Sequence, residues 1–355
     1  MKIAALLLAA MLTPTLFAQT DVGAMLDKAA EIKPGEGADW LAQRDAIVAL
    51  GEDALPELRE AGKQTAWTKA GWVRALAAES CRVRIEHEEL AGKVDSPRGL
   101  NPAHYRQFRK PMPVCQHDLR NLGADAVPLL LERWRWTFDS FDFSEGEAGH
   151  TERQCFALAI MWVPGELADR RARYHLDAAV RDPAITDLWR QEACVALGKA
   201  AGADALATLT ELYDDATQPT MLREGCAWAL GRVADVKSAD AIKQRLEADG
   251  LSATLRRALL TGVAILGSSW AWEARGPMHA ARGDEIREKC ARMALDALKV
   301  APEDVEVISR ALAMTAWRDS LEWVRNLADN GETEPVKLAA KACIEPLQTA
   351  LARDQ

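Results

Sequence analysis

Trp189-Arg190-Gln191-Glu192-Ala193-Cys194-Val195-Ala196-Leu197-Gly198 returns 33 residues later as Leu222-Arg223-Glu224-Gly225-Cys226-Ala227-Trp228-Ala229-Leu230-Gly231. In each copy an apolar residue and an Arg come first, then two adjacent small residues, then Ala-Leu-Gly. Arg and Gly are eight residues apart in both. Self-similarity at a period in this range marks an array of stacked supersecondary units.

Each part of the unit has a physical reading. Ala193, Ala196 and Leu197 recur at helical spacing and form one apolar stripe, whose small members let a neighbouring helix come close. The closing Gly is expected to end the helix, because Gly adopts the left-handed C-terminal conformation without strain. A second helix is expected from Asp204-Ala205-Leu206 after the first copy and from Asp240-Ala241-Ile242 after the second, with the Asp capping free N–H groups. Arg190 and Arg223 recur with the period, which favours a structural task, such as bonding the helix-end carbonyls of the next unit, over a catalytic one.

This pattern resembles the HEAT repeat, in the short bacterial form named after phycobilisome lyase-like proteins. Ala49-Leu50-Gly51-Glu52-Asp53-Ala54-Leu55-Pro56 and Leu122-Gly123-Ala124-Asp125-Ala126-Val127-Pro128 echo its Gly-Asp junction. The segments from Arg256 to Gly267 and from Arg287 to Leu295 look like degenerate first halves. The resemblance implies an all-α fold, a right-handed α-solenoid of HEAT-like helical hairpins. It implies little about function, since the family holds scaffolds, adaptors and a few enzymes.

The totals narrow the function classes. The chain has 355 residues, 49% of them hydrophobic, and a net charge of −9. That balance argues against nucleic acid, which needs a basic footprint. Lys2 followed by the uncharged run from Ile3 to Phe17 reads as a signal peptide over 1–18, too short for a comfortable membrane span and interrupted by Pro14. Residues 19–355 are then one exported solenoid, periplasmic or secreted, with no membrane span. Seven Cys cannot all pair within one chain. Cys155, Cys194, Cys226, Cys290 and Cys343 sit in Ala-rich helical stretches and read as small buried apolar residues. Cys81 and Cys115 bracket the longest irregular stretch and are a candidate disulfide.

Three interruptions break the helical pattern, near 89–115, 137–151 and 268–283. The first holds a basic-aromatic cluster, with His104, Tyr105, Arg106 and Arg109. The second is acidic, with Glu147 and His150 among Phe residues. The third carries Trp270 and Trp272. Insertions of this kind emerge on one face of a solenoid, so His104, Tyr105, Arg106, Arg109, Trp270 and Trp272 are the candidate binding residues. Trp40, Trp72, Trp162 and Trp323 fall on apolar helical stripes and read as core.

No nucleophile elbow, phosphate-binding Gly loop, His-Glu-x-x-His or Cys-x-x-Cys pair occurs. Cys115-Gln116-His117-Asp118 matches no zinc spacing, and 139–150 lacks the order of a calcium loop. The reading is therefore a non-catalytic scaffold without cofactor or metal, binding a protein partner through its concave face and inserted loops. The alternative is a ligand-binding or enzymatic protein whose site is built by those loops, from His104, Arg106, Arg109, His117 and Glu147 or His150.

Overall fold

The computed structural model describes residues 21–95, 120–137, 161–268, 271 and 283–353. All regular elements among them are helices. The first part holds α1 (Val22–Glu31), α2 (Gly37–Val48), α3 (Leu55–Ala61), α4 (Trp72–Glu86), α5 (Glu88–Asp95) and α6 (Ala126–Glu132). A helical segment at 161–166, α7, leads into the array. The array runs through α8 (Arg173–Arg181), α9 (Asp187–Ala201), α10 (Leu206–Asp214), α11 (Thr220–Arg232), α12 (Val236–Leu246) and α13 (Ala253–Gly267). It closes with α14 (Gly283–Val300), α15 (Val305–Thr315), α16 (Ser320–Asn330) and α17 (Glu334–Arg353). No helix among the described residues is long and apolar enough to cross a membrane.

The helices form a two-layered solenoid of hairpins. One layer, α9, α11, α13, α15 and α17, packs helix against helix along the stack. The other layer, α8, α10, α12, α14 and α16, packs chiefly onto the first. Its members are linked to one another by ion pairs: Arg181 to Glu211 at 2.8 Å, Arg245 Nε to Asp214 at 2.9 Å, and Lys289 to Asp240 at 3.0 Å. A stack tight along one layer and loose along the other curves toward the tight side. The closely packed layer is therefore the inner one.

The repeating motif lies in this inner layer. Leu197 and Leu230 are buried between hairpins, as the stripe predicts. Arg190 Nε donates to the carbonyl of Val180 at 3.0 Å, and Arg223 Nε donates to that of Tyr213 at 2.8 Å. Each Arg thus secures a helix-end carbonyl ten residues back, in the preceding helix of the array rather than in the next unit. An offset repeated in both copies needs no catalytic explanation.

The role expected for the motif glycines is corrected. Gly198 and Gly231 lie inside α9 and α11 and end neither. The left-handed backbone comes later, at Gly202 and at Ala234. What Gly198 and Gly231 provide is space. A Cβ on Gly198 would stand 2.5 Å from the carbonyl oxygen of Ala229, and one on Gly231 would meet the backbone of Gly262. Gly165 occupies the same register 33 residues earlier, where an added Cβ would stand 3.3 Å from the oxygen of Ala196.

The Asp starts are corrected too. Asp204 sits in a short 3-10 turn before α10, makes no cap, and pairs instead with Arg170 and Arg173. The cap of α12 is Asp235, which accepts from the N–H of Lys237 at 2.8 Å, whereas Asp240 lies within that helix. The interruption read from 89 begins as helix, since α5 continues to Asp95.

In the first part the core is built round a charge. Glu132, fully buried, accepts from Trp40 Nε1 at 2.9 Å, Arg44 at 3.2 Å, Arg84 Nη2 at 3.0 Å and the Ser80 hydroxyl. A buried carboxylate is tolerated only when paired and fully bonded. Trp40 stacks on Trp136 with ring centroids 3.9 Å apart, which closes this polar centre beneath aromatic surface.

Candidate functional site: a groove on the inner layer

The stripe of the inner helices that faces away from the outer layer is the least buried part of α9 and α11. A cavity of about 450 Å³ opens there, across α7, α9, α11 and α13. Its walls follow the repeat. Trp162, Val195, Trp228 and Thr261 stand at successive 33-residue steps, and so do Glu166, Lys199, Arg232 and Ile265. Each pair, such as Trp162 and Glu166, is four residues apart and so lies on one helix face. The site is therefore two rungs of a ladder repeated over four helices.

Side-chain size alternates along the first rung. Two indoles flank the much smaller Val195, and Ala196 lies beside it. This leaves a notch with apolar sides over α9. Helices α9 and α11 come close here: a Cβ on Gly225 would stand 2.9 Å from the Cα of Gln191, and one on Gly198 2.5 Å from the oxygen of Ala229.

The second rung carries charge. Lys199 pairs with Glu166 of the preceding helix. Glu192 also lines the cavity; burial pushes its carboxyl up from the ordinary range, against the opposing pull of the Trp162 indole N–H and of Lys199. Burial pushes the Arg232 guanidinium down, and Glu166 works against that shift. Both signs are thus present and only partly solvated. The indole N–H of Trp228 has no acceptor among the described residues. Mostly apolar walls with a few polar groups are the usual make-up of a ligand site. Among the described residues lining the groove, none pairs a nucleophile with a base.

A second cavity, of about 520 Å³, lies between α3–α4 and residues 168–174, lined by Trp67, Glu79, Arg171 and Tyr174 among others. Its charges already satisfy one another. Arg171 meets Asp169 at 2.6 Å and Glu79 at 3.4 Å, and Arg170 meets Asp204. Though larger, it offers an incoming group less than the groove does.

His104, Tyr105, Arg106, Arg109, Trp270 and Trp272 lie outside the described residues, as do Cys115, His117, Glu147 and His150. Cys81 is fully buried in α4, where burial pushes its thiol up. Trp162, read as core, is instead a groove wall, half-buried. Trp228 was not singled out by the sequence. The 33-residue step back from Trp228 through Val195 to Trp162 was the signal that would have found both.

No protein-family model matches the sequence, and no curated protein matches it. Among solved structures the chain is similar to human deoxyhypusine hydroxylase, solved in complex with glycerol. Identity is 16%, with 74% of this chain and 96% of that chain covered, at a TM-score of 0.31. A likeness at that score carries no argument about this chain.

Proposed function

We propose that the protein is an exported, non-catalytic HEAT-like scaffold, of the phycobilisome lyase-like kind, whose inner groove holds an extended segment of a partner protein. The observation that supports this reading is the ladder itself. A groove repeated at one helix spacing suits a linear chain, whose own side chains also recur at a fixed step. The notch over Val195 suits one apolar side chain of that segment, and the Trp228 N–H, without an acceptor among the described residues, suits a backbone carbonyl beside it. Lys199, Glu166, Glu192 and Arg232 supply charge on both sides for register. The Lys2 start and the uncharged run to Phe17 support export.

A photo-crosslinking residue placed at Thr261, in the groove, and one at Lys243, exposed on outer helix α12, test the reading in the native organism. The groove position is expected to give a discrete protein adduct that Trp228→Ala abolishes. Adducts from Lys243 alone, or an adduct indifferent to Trp228, would place binding elsewhere. Export is checked on the same material, whose N-terminus is expected near Gln19; an intact Met1 in the bulk of the protein contradicts it.

A further inference from the structure

Cys194 and Cys226 sit on neighbouring inner helices with their sulfurs 3.6 Å apart, both fully buried. We propose that they are a redox pair, joined by a disulfide-bearing oxidant into a covalent strap between α9 and α11. The geometry is set by the small residues around them. Gly225, next to Cys226, lets the Cα of Gln191 within 2.9 Å of where its Cβ would be, and Gly198, one turn beyond Cys194, does the same for Ala229. The helix axes are therefore already as near as backbones allow. A disulfide needs the sulfurs at about 2.05 Å, so bond formation must bring them in from 3.6 Å.

The chemistry balances as thiol–disulfide exchange. One thiolate attacks a sulfur of the oxidant and forms a mixed disulfide. The second thiolate then displaces the oxidant's remaining sulfur as a thiol. The pair loses two electrons and two protons, and the oxidant's S–S bond becomes two thiols. Attack requires thiolate. In the folded chain burial pushes the Cys194 thiol up, with Cys226 adding to the shift, and both sulfurs are fully buried, out of an oxidant's reach. The exchange therefore belongs to folding, before α11 docks on α9, and the docked helices then seal the bond.

The strap has a place in the groove. Cys194 precedes Val195, the floor of the notch, and Cys226 stands two residues before Trp228, one of its walls. Oxidation fixes the separation of floor and wall. The inference rests on sulfur geometry and stands whether or not the groove binds a protein segment.

The test uses the full mature chain, unfolded in urea with its thiols reduced, then refolded in mixed reduced and oxidised glutathione. Free thiols are alkylated and the protein is cut with trypsin without reductant. Cys194 falls in the peptide 191–199 and Cys226 in 224–232. The expected product is these two peptides linked, two hydrogens lighter than their sum, as the main form of both. Alkylation of both cysteines in the bulk of the refolded protein, or linkage of either to a different cysteine, overturns the proposal. Cys194→Ala controls for fit. If the parent refolds only under reducing conditions while Cys194→Ala refolds under both, the strap does not fit the fold and the proposal fails.

Discussion

Gly198 lies against the backbone of Ala229, with only 2.5 Å between the oxygen of Ala229 and the place a Cβ would take. One hydrogen in place of a methyl group thus sets the spacing of two repeats. Gly198→Ala should destabilise the protein by roughly 1–3 kcal/mol, the cost of forcing an extra carbon into a packed contact. Gly92, in α5, has nothing within 4 Å of its missing Cβ. There Gly92→Ala should be neutral or stabilise by about 0.5–1 kcal/mol, as an interior helical Gly is relieved. Urea unfolding midpoints compare the two; equal shifts would show that space at Gly198 is not the constraint.

Leu197→Ala and Leu230→Ala should each cost roughly 2–5 kcal/mol, the range for a buried Leu. Both side chains are almost wholly shielded by neighbouring hairpins. Chemical denaturation measures the loss. A change under about 0.5 kcal/mol at both sites is what a surface residue gives, and would contradict the packing.

Removing the buried carboxylate takes one acceptor from several partners. Glu132→Ala costs Arg44, Arg84 and the Trp40 indole a bond at once, leaving Arg44 with Asp45 and Arg84 with Asp95. The expected loss is about 3–5 kcal/mol, the cost of breaking a buried pair from one side. Thermal unfolding of Glu132→Ala beside Glu132→Gln reads it, with Gln retaining part of the bonding. A Glu132→Ala protein as stable as its parent would mean that water enters this centre.

His175 gives a pH signature. It is buried between Trp134, 3.9 Å away centroid to centroid, and Trp72, and neither ring nitrogen has a hydrogen-bond partner among the described residues. Burial, reinforced by Arg135, pushes it down to about 3. The folded value lies below the unfolded value of about 6.5, so between these the unfolded chain takes a proton that the folded chain refuses. Stability falls as pH drops from about 6.5 toward about 3 and is unaffected by this group above that window. His175→Phe should remove the slope. Unfolding midpoints at pH 7 and pH 4.5 should diverge, with the variant gaining on its parent at the lower value; parallel behaviour would mean His175 is charged or solvated.

The sequence carried the fold further than the site. Leu197 and Leu230 could be placed from the period alone, and so could the helix-end task of Arg190 and Arg223, though not which helix they bond, because burial and helix-end bonding repeat wherever the backbone repeats. The glycines could not, since a Gly that ends a helix and a Gly that admits a neighbouring helix look alike in one dimension. Gly198 was resolved only by seeing Ala229 against it. Trp162 and Trp228 were hidden for a related reason. The wall of an apolar groove and the wall of a core have the same composition, and only the curvature of the stack decides which face stays open. Glu132 gave no signal at all, because its partners Trp40, Arg44, Ser80 and Arg84 lie 48–92 residues away.

The contrast between the two layers also sets how the array bends. Backbone against backbone, as at Gly198 and Gly231, cannot be stretched or shortened without breaking packed contact. The pairs that tie α8 to α10, α10 to α12 and α12 to α14 are exposed at one partner or both. Such links are worth about 0–1 kcal/mol each and weaken with salt. The inner layer is thus the neutral axis of a flexing beam and the outer layer its compliant flange. Under load the floor of the groove keeps its length while the mouth widens or narrows, with a stiffness that falls as ionic strength rises.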